Sequence, residues 1–274
     1  MNREERKVVF EDTMEIVRGL YSTDVEKSIA AGKVYTSIVE SNKDVKGCTD
    51  IYVTNSTSFN EASKWVGDTV RVGVLNFASG TNPGGGVTKG SSAQEECLCR
   101  ESTLYSVISD KKFREEFYGY HRNLGSALYS DRVIYTPDIV VLKDNNGKLL
   151  GSEFIIDVFT CCAPNLRKEA SNKMNPNAGK EVKLTDKGLL DVLIRRYTNL
   201  LNIVAESNID VFITGAIGCG AFQNKPFIVA SAWKKALGQS NFNGTCVFAV
   251  YCKKGEEYNY DIFKRLLGKR SKSR

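Results

Sequence analysis

Runs of β-branched and aromatic residues alternate along the chain with segments whose apolar residues recur every three or four positions. The first pattern predicts strands and the second predicts amphipathic helices. Six strands are predicted, at residues 50–54, 70–78, 133–142, 153–159, 209–214 and 245–251. Asn146-Gly147, between the third and fourth of these, is typical of a tight hairpin turn.

Three helices are predicted between these strands, each with a signal at one of its ends. Residues 92–109 begin with the capping-box spacing Ser92-x-x-Glu95. Residues 186–206 have apolar side chains at helical spacing, and Asp186 is the expected N-cap. Residues 226–237 begin with proline and are followed by glycine, which is the usual polarity of helix ends.

Long β-branched runs separated by helices indicate an α/β fold. We expect a mostly parallel sheet that is covered by helices on both faces, with some antiparallel addition. Residues 1–45 are polar and mostly helical in period, so they are expected to form an accessory segment on a domain of residues 46–268. Residues 269–274 form a basic tail that we interpret as a solvated chain end.

Composition excludes several classes of protein. With 42% hydrophobic and 26% charged residues, the 274-residue chain has ordinary globular composition and is not disordered. No apolar run reaches the roughly 20 residues that span a bilayer, and the N-terminus lacks the apolar stretch of a signal peptide. We therefore expect a cytoplasmic protein, acting as a monomer and without membrane contact. Its net charge of +6 mildly favours an anionic partner.

The cysteines and the histidine narrow the chemistry further. The eight cysteines occur in C-x-C and C-C spacings without a C-x-x-C pair, and His121 is the only histidine. This set offers few ligands for zinc, so the thiols are interpreted as buried small hydrophobes, and no metal or cofactor is expected. A single histidine also disfavours Ser–His and Cys–His mechanisms, which leaves acid–base chemistry to carboxylates.

A glycine-rich loop follows the predicted strand that contains Asn76. It includes Gly84-Gly85-Gly86 and leads into the helix that carries Gln94, Glu95 and Glu96. Consecutive glycines are tolerated where the backbone needs positive φ or close approach to a ligand. A glycine loop at a helix N-terminus is also a natural anion site, although neither a Walker A motif nor G-x-G-x-x-G fits this spacing.

A second glycine-rich turn follows the strand predicted at residues 209–214. Its sequence is Gly215-Ala-Ile-Gly218-Cys219-Gly220-Ala221-Phe222, and a helix begins just after it. Phe222 offers a stacking face for a base or ribose, although an aromatic at such a position is often part of the core. Loops at the carboxyl ends of parallel strands meet at one edge of the sheet, so the two turns are expected to hold the two sides of a diphosphate.

The two loops resemble the signature of the bacterial-type poly(ADP-ribose) glycohydrolases of the macrodomain superfamily. The resemblance rests on Asn76-Phe-Ala-Ser, on Pro83-Gly-Gly-Gly86, and on Ala93-Gln-Glu-Glu96 seven residues later. The Gly215–Phe222 turn is similar to the family's diphosphate loop, and Ala163-Pro-Asn165 to an element that follows one of its strands. The match covers roughly residues 45–265, with Lys225 and Cys161-Cys162 as departures from the pattern.

The resemblance implies a three-layer α/β/α macrodomain with an N-terminal helical segment. It also implies hydrolysis of the ribose–ribose O-glycosidic bond of poly(ADP-ribose), with ADP-ribose as the product and no cofactor. Glu96 matches the catalytic acid, and Glu95 matches the residue that holds the distal ribose. The substrate-binding residues implied are Asn76, Gly84, Gly85, Gly86, Gln94, Gly215, Gly218, Cys219, Gly220, Ala221 and Phe222.

Glycoside cleavage needs an acid at the leaving oxygen. Adjacent helical residues point about 100° apart, so we expect one glutamate, rather than the pair, to serve as acid and then as base. A helix N-terminus lowers a carboxyl pKa, so desolvation or a second negative charge, from Glu95 or the diphosphate, has to oppose it. Two alternatives stay open: hydrolysis of mono-ADP-ribosyl groups on protein or nucleic acid, and non-catalytic binding of ADP-ribose.

Overall fold

A seven-stranded mixed sheet organises the chain, whose computed structural model describes residues 1–41, 47–171 and 176–268. The strand order is β1-β4-β5-β3-β6-β7-β2. The strands are β1 Lys33–Tyr35, β2 Asp50–Thr54, β3 Val72–Phe77, β4 Val133–Lys143, β5 Leu149–Cys161, β6 Val211–Thr214 and β7 Thr245–Ala249. The expected boundary at residues 45 and 46 and the tail at 269–274 lie outside the described residues.

The five strands β5, β3, β6, β7 and β2 are parallel to one another, whereas β4 is antiparallel to β5 and β1 is antiparallel to β4. β3 lies in the middle, and five of its six residues are buried because helices cover both faces of the sheet. The expected mixed, mostly parallel α/β sheet is therefore confirmed. The hairpin at Asn146-Gly147 is also present, with Gly147 at a φ of +78°.

Ten α-helices are found in the described part of the chain. They are α1 Arg3–Leu20, α2 Ser22–Ala31, α3 Ser58–Ala62, α4 Gln94–Glu101, α5 Leu104–Ile108, α6 Lys111–Phe113, α7 Tyr120–Leu124, α8 Asp186–Glu206, α9 Pro226–Leu237 and α10 Tyr258–Leu267. A 3-10 turn at Val87–Lys89 lies before α4, and a π-helical segment at Arg114–Gly119 joins α6 to α7. α8 and α9 have the bounds that the sequence predicted.

Two apolar cores hold the three layers together. On one face α8, α9 and α10 pack on the sheet, where the rings of Tyr197 and Trp233 stack with centroids 4.0 Å apart. On the other face Phe10 of α1, Phe59 of α3 and Leu98 of α4 pack on the opposite side of the same strands. Within the described residues, no helix is both long and apolar enough to cross a membrane.

The N-terminal segment differs from the expectation in one respect. It contains the strand β1, which pairs with β4 and extends the sheet. Three residues are too few to show a strand period, so only the pairing reveals this strand. The segment is also anchored through the buried Lys143 of β4, whose Nζ lies 2.5 Å from Asp12 of α1 and 2.8 Å from the Thr13 hydroxyl.

The helix predicted at residues 92–109 is two helices. The chain is extended at Ser102, which bridges to Val141 of β4, so the helical period breaks there. The predicted capping box is also wrong: Ala93 is the N-cap of α4 and makes no side-chain cap. Ser92 and Glu95 have the right spacing, but the Glu95 carboxyl accepts a hydrogen bond from Ser79 instead.

Thr185, and not Asp186, caps α8. Its hydroxyl accepts a hydrogen bond from the backbone N–H of Gly188 over 3.1 Å. Asp186 lies one residue inside the helix and pairs with Lys225 at 2.6 Å, with both side chains about two-thirds exposed. The prediction of the N-cap was therefore wrong by one residue. Thr185 and Asp186 are both suitable N-cap residues, and sequence spacing does not distinguish them.

We expect Thr185→Ala to lower the free energy of unfolding by about 1 kcal/mol, because an orphaned N–H loses its acceptor. Denaturant titration at about 1 M salt is the measurement, since salt screens the exposed Asp186–Lys225 pair. Asp186→Ala is the matched control and is expected to lose less under these conditions. An equal or larger loss for Asp186→Ala would show that Asp186 is the cap after all.

Candidate active site

A cleft of about 430 Å³ opens at the carboxyl ends of the parallel strands. Its walls include Phe77 at the end of β3, Ala216 after β6 and Val250 after β7. This is the edge where binding sites form in parallel sheets. Eight of the predicted site residues line it: Gly85, Gln94, Glu95, Glu96, Gly218, Gly220, Ala221 and Phe222.

The loop after β3 brings backbone directly against the carboxyl groups of α4. Gly84 and Gly85 have φ values of +65° and +56°, the left-handed region that glycine adopts without strain. A Cβ on Gly85 would lie 2.6 Å from Oε1 of Glu96 and 3.0 Å from Oε2 of Glu95. Both requirements, positive φ and close approach, therefore select glycine at position 85.

Glu96 is held by one oxygen and offers the other. Its Oε1 accepts a hydrogen bond from the N–H of Gly86 over 2.9 Å, whereas its buried Oε2 has no hydrogen-bond partner among the described residues. The side chain is only 8% exposed, yet it lines the cleft. A buried oxygen without a partner is costly unless a ligand or a proton satisfies it.

Glu95 is engaged through both of its oxygens. Oε2 accepts a hydrogen bond from the N–H of Ser79 over 2.7 Å, and Oε1 accepts a longer one, 3.4 Å, from the amide of Asn76. Burial raises the pKa of Glu95 well above its usual range, and the negative charge of Glu96 raises it further. The hydrogen bonds from Ser79 and Asn76 act in the opposite direction and are outweighed.

The two carboxyl groups converge, although their positions on the helix are about 100° apart. Each has an oxygen near the same point, the position of a Cβ on Gly85. The neighbouring Gln94 does not reach into this arrangement. Its amide accepts from the N–H of Phe77 and donates to the carbonyl of Leu75, so it ties the first turn of α4 to β3.

The second glycine turn is closed by Asn224, a residue that the sequence did not single out. Its buried amide nitrogen donates to the carbonyls of Pro164 and Gly218, at 2.7 and 3.1 Å. Gly218 has a φ of +77°, and a Cβ there would lie 2.5 Å from the Ala163 side chain. The turn is thus packed on the segment after β5.

Beyond this anchor, the turn faces the cleft with backbone. A Cβ on Gly220 would meet nothing within 4 Å, so no protein packing explains this glycine. Among the described residues, the N–H groups of Gly218, Gly220 and Ala221 donate to no protein acceptor. Free N–H groups that are clustered in one turn form a concave anion site of the kind that binds phosphates. Phe222, half-buried, forms the adjoining wall.

The other predicted site residues lie behind the surface of the cleft. Asn76 is fully buried between Glu95 and Thr160. Gly84 packs against Tyr105, and Gly215 approaches the carbonyl of Ala249, where a Cβ would lie 2.5 Å away. Gly86 serves Glu96 through its N–H, and Cys219 is half-buried within the turn.

Several polar residues of the cleft were missed by the sequence analysis. Ser56, Asn145 and Tyr251 line it from three separate loops, so no local spacing connects them. Glu101, one and a half turns after Glu96 on α4, also lines it, and burial raises its pKa to about 8. The only sequence signal for Glu101 was that it is a further glutamate on the helix that carries Glu95 and Glu96.

His121 does not line the cleft, which is consistent with the expectation that acid–base chemistry depends on carboxylates. Its Nε2 accepts from the backbone N–H of Ser130, so its Nδ1 donates to the carbonyl of Gly80 over 3.2 Å. Burial lowers its pKa to about 4. All eight cysteines are free, and in the described part of the chain no three His, Cys, Asp or Glu side chains cluster as metal ligands.

Comparison with known proteins shows what this chain is similar to. Residues 11–144 match the family described as the catalytic domain of microbial-type PARG, poly(ADP-ribose) glycohydrolase. The fold superimposes on that of the glycohydrolase from Thermomonospora curvata with a TM-score of 0.81 and 27% identity, covering 97% of this chain and 100% of the other. Residues 11–144 thus match the microbial-type PARG catalytic domain, and the chain shares the fold of a solved bacterial glycohydrolase along nearly its whole length.

Two further solved glycohydrolase structures are similar along most of their length. The T. curvata enzyme bound to the inhibitor ADP-HPD has 29% identity and a TM-score of 0.80, over 96% of this chain and 99% of that one. The Deinococcus radiodurans enzyme in complex with ADP-ribose has 27% identity and a TM-score of 0.72, over 88% and 95%. Curated protein sequences gave no significant match.

We expect Asn224→Asp to weaken the binding of ADP-ribose about ten- to hundredfold. The aspartate has the same shape but no N–H, and leaving a buried group unsatisfied costs about 1–3 kcal/mol. Isothermal titration calorimetry with ADP-ribose measures the effect. Gln223→Glu places the same charge on the exposed neighbour and is expected to cost less; equal losses would mean that charge, and not the lost hydrogen bonds, is responsible.

The free energy of unfolding of Glu95→Gln, compared with that of the wild type, is expected to increase as pH rises. The folded-state pKa of Glu95 is raised, so the unfolded chain loses its proton first, from about pH 4.3 upward, and folding loses stability there. Glutamine avoids this loss. Denaturant titrations of both proteins across pH test it, with the exposed Glu115→Gln as control; a difference that does not grow with pH would contradict the assignment.

Proposed function

We propose that this protein hydrolyses the ribose–ribose O-glycosidic bond of poly(ADP-ribose) and releases ADP-ribose, with Glu96 as the general acid and base. The observation that carries the proposal is the unpartnered, buried Oε2 of Glu96 at the wall of a cleft whose other end is a glycine turn with free N–H groups. One end supplies a proton donor, and the other supplies donors for a diphosphate.

The division of labour between the two glutamates follows from their partners. Glu95 has both oxygens in hydrogen bonds and is buried, so it is suited to holding a ribose hydroxyl and the loop, not to exchanging protons. Glu96 has one oxygen fixed by Gly86 and one free. A fixed, singly anchored carboxyl is preorganised for proton transfer in the way that general acid catalysis requires.

In the proposed reaction, the Glu96 carboxyl donates its proton to the leaving oxygen as the bond to the anomeric carbon of the terminal ribose breaks. The resulting oxocarbenium-like cation is stabilised by the substrate's own diphosphate, held at the Gly218–Phe222 turn. Water then attacks the anomeric carbon, and the Glu96 carboxylate takes the proton of that water. The glutamate returns to its acid form, so a single carboxyl serves both steps.

Neutral stacking completes the binding of the nucleotide end. The exposed part of Phe222 offers a ring face beside the free N–H groups of the turn. Tyr251, in the segment after β7, and Asn259, in α10, line the same cleft. An aromatic ring and a side-chain amide are groups that recognise a ribose or a purine.

A second candidate, removal of mono-ADP-ribosyl groups from protein or nucleic acid, uses the same cleft. The Gly218–Phe222 turn and the two glutamates contact the ADP-ribose part and do not distinguish what leaves. Glu101, Asn145 and Ser56 also line the cleft and offer polar groups to a leaving group. Eight free cysteines are typical of a reducing compartment, which supports a cytoplasmic location and action there on modified macromolecules.

Glu96→Gln is expected to abolish the release of ADP-ribose from purified poly(ADP-ribose), with a loss of kcat of at least about a hundredfold, because general acid–base catalysis contributes 10²–10⁴-fold. Binding of ADP-ribose, measured by calorimetry, is expected to persist. Products are separated by chromatography, and protein carrying a single ADP-ribose is tested in parallel. Glu115→Gln, an exposed glutamate on the π-helical segment, is the control.

Turnover of the polymer that is unchanged in Glu96→Gln would overturn the assignment of Glu96. Release of ADP-ribose from the singly modified protein, with none from the polymer, would replace the first candidate by the second. Binding of ADP-ribose by the wild-type protein without release from either substrate would leave a binding module.

A further inference from the structure

The first turn of α1 lies against the far end of the glycine loop. Nε of Arg3 donates to the carbonyl of Lys89 over 2.6 Å, and Nε of Arg6 donates to the carbonyl of Gly90 over 2.7 Å. Gly90 has a φ of +71°, and a Cβ there would lie 2.3 Å from the backbone carbonyl oxygen of Arg3. Two charged donors and one close backbone contact thus join segments more than 80 residues apart in the chain.

The loop residues that these arginines hold are linked through Gly86 to the N–H that orients Glu96. The N–H of Lys89 and that of Ser91 both donate to the carbonyl of Gly86, at 2.9 and 3.1 Å. The N–H of the same Gly86 donates to Oε1 of Glu96. A shift of residues 89–90 would therefore displace Gly86, the residue whose N–H fixes the Glu96 carboxyl.

α1 also packs behind the other part of the loop. The ring of Phe10 meets that of Tyr105 edge to face, with centroids 4.9 Å apart, and Tyr105 packs against Gly84. The Thr13 hydroxyl lies 2.6 Å from the carbonyl of Arg100 in α4. α1 thus contacts both the loop and the helix that carry the two halves of the Gly86–Glu96 hydrogen bond.

The position of α1 is itself fixed by the sheet. Nζ of the buried Lys143 in β4 binds the carboxylate of Asp12 and the Thr13 hydroxyl. A buried ammonium needs all of these partners, so the register of α1 on the domain is specific. The sheet therefore supports the glycine loop in two ways. β3 leads directly into the loop, and β4 holds α1, which in turn contacts the loop.

We infer that α1 is a positioning element of the active site, in which Arg3 and Arg6 hold the Lys89–Gly90 end of the glycine loop so that the N–H of Gly86 aims at Glu96. The catalytic part of this inference rests on the proposed function. The structural part does not, because the order of the loop is measurable without substrate. The N-terminal segment then contributes to the geometry of the active site and is more than an accessory segment.

The test is the double variant Arg3→Ala/Arg6→Ala. Amide hydrogen exchange in residues 84–91 is expected to become about tenfold faster or more, since local opening loses two restraints. The kcat on poly(ADP-ribose) is expected to fall roughly ten- to hundredfold, as small displacements of catalytic groups do, with a smaller change in KM. Arg3→Lys/Arg6→Lys is expected to restore part of both, because lysine retains a donor.

Arg18→Ala is the matched control, because Nε of Arg18 donates only within α1, to the carbonyl of Met14. A second route to the same result is Gly90→Ala, compared with Gly125→Ala. Both glycines have positive φ, but a Cβ on Gly125 meets no atom closer than 4.0 Å. Backbone strain is therefore similar in the two, and the collision with Arg3 is specific to position 90.

Unchanged exchange in residues 84–91 of the double variant would overturn the inference, whatever the activity. Faster exchange with an unchanged kcat per folded molecule would overturn the catalytic part, since α1 would then stabilise the loop without serving the reaction. A wild-type protein that releases no ADP-ribose would count against the proposed function alone, because the exchange result stands without it.

Discussion

The site depends on the close contact between the backbone at Gly85 and the two carboxyl groups at the start of α4. With no side chain at position 85, oxygens of Glu95 and Glu96 approach the peptide to distances that any Cβ would forbid. Burying two adjacent carboxyls is unfavourable unless hydrogen bonds satisfy them. The loop supplies these from Ser79 and Gly86 and leaves one oxygen of Glu96 for the substrate.

The rest of the fold holds this contact in place from several directions. Gln94 ties α4 to β3, and the edge-to-face rings of Phe10 and Tyr105 support the loop from behind. His121 donates to the carbonyl of Gly80 and stays neutral, because burial lowers its pKa to about 4. Catalytic groups held by packed, hydrogen-bonded neighbours lose little freedom when substrate binds, which is how preorganised sites lower a barrier.

The parallel sheet determines what this pair of carboxyls can act on. β3 and β6 are neighbours in the sheet, although the end of β3 at Phe77 and the start of β6 at Val211 are far apart in the sequence. Their loops meet at one edge, so a proton donor and a phosphate-binding turn share one cleft. Asn224 stiffens that turn from within. A substrate long enough to reach both ends, with a sugar at one and a diphosphate between, fits the arrangement.

The sequence by itself determined the α/β class, the bounds of α8 and α9, and the two glycine loops with their glutamates, because apolar period and glycine clusters are local properties. Tertiary structure alone decided the three-residue β1, the break at Ser102, the cap at Thr185 and the role of Asn224. It also decided that the carboxyl groups of Glu95 and Glu96 converge and that α1 binds the Lys89–Gly90 end of the glycine loop. Apart from the Thr185 cap, whose partner Gly188 is three residues away, each of these depends on contacts with residues farther along the chain, and such contacts leave no period in the sequence.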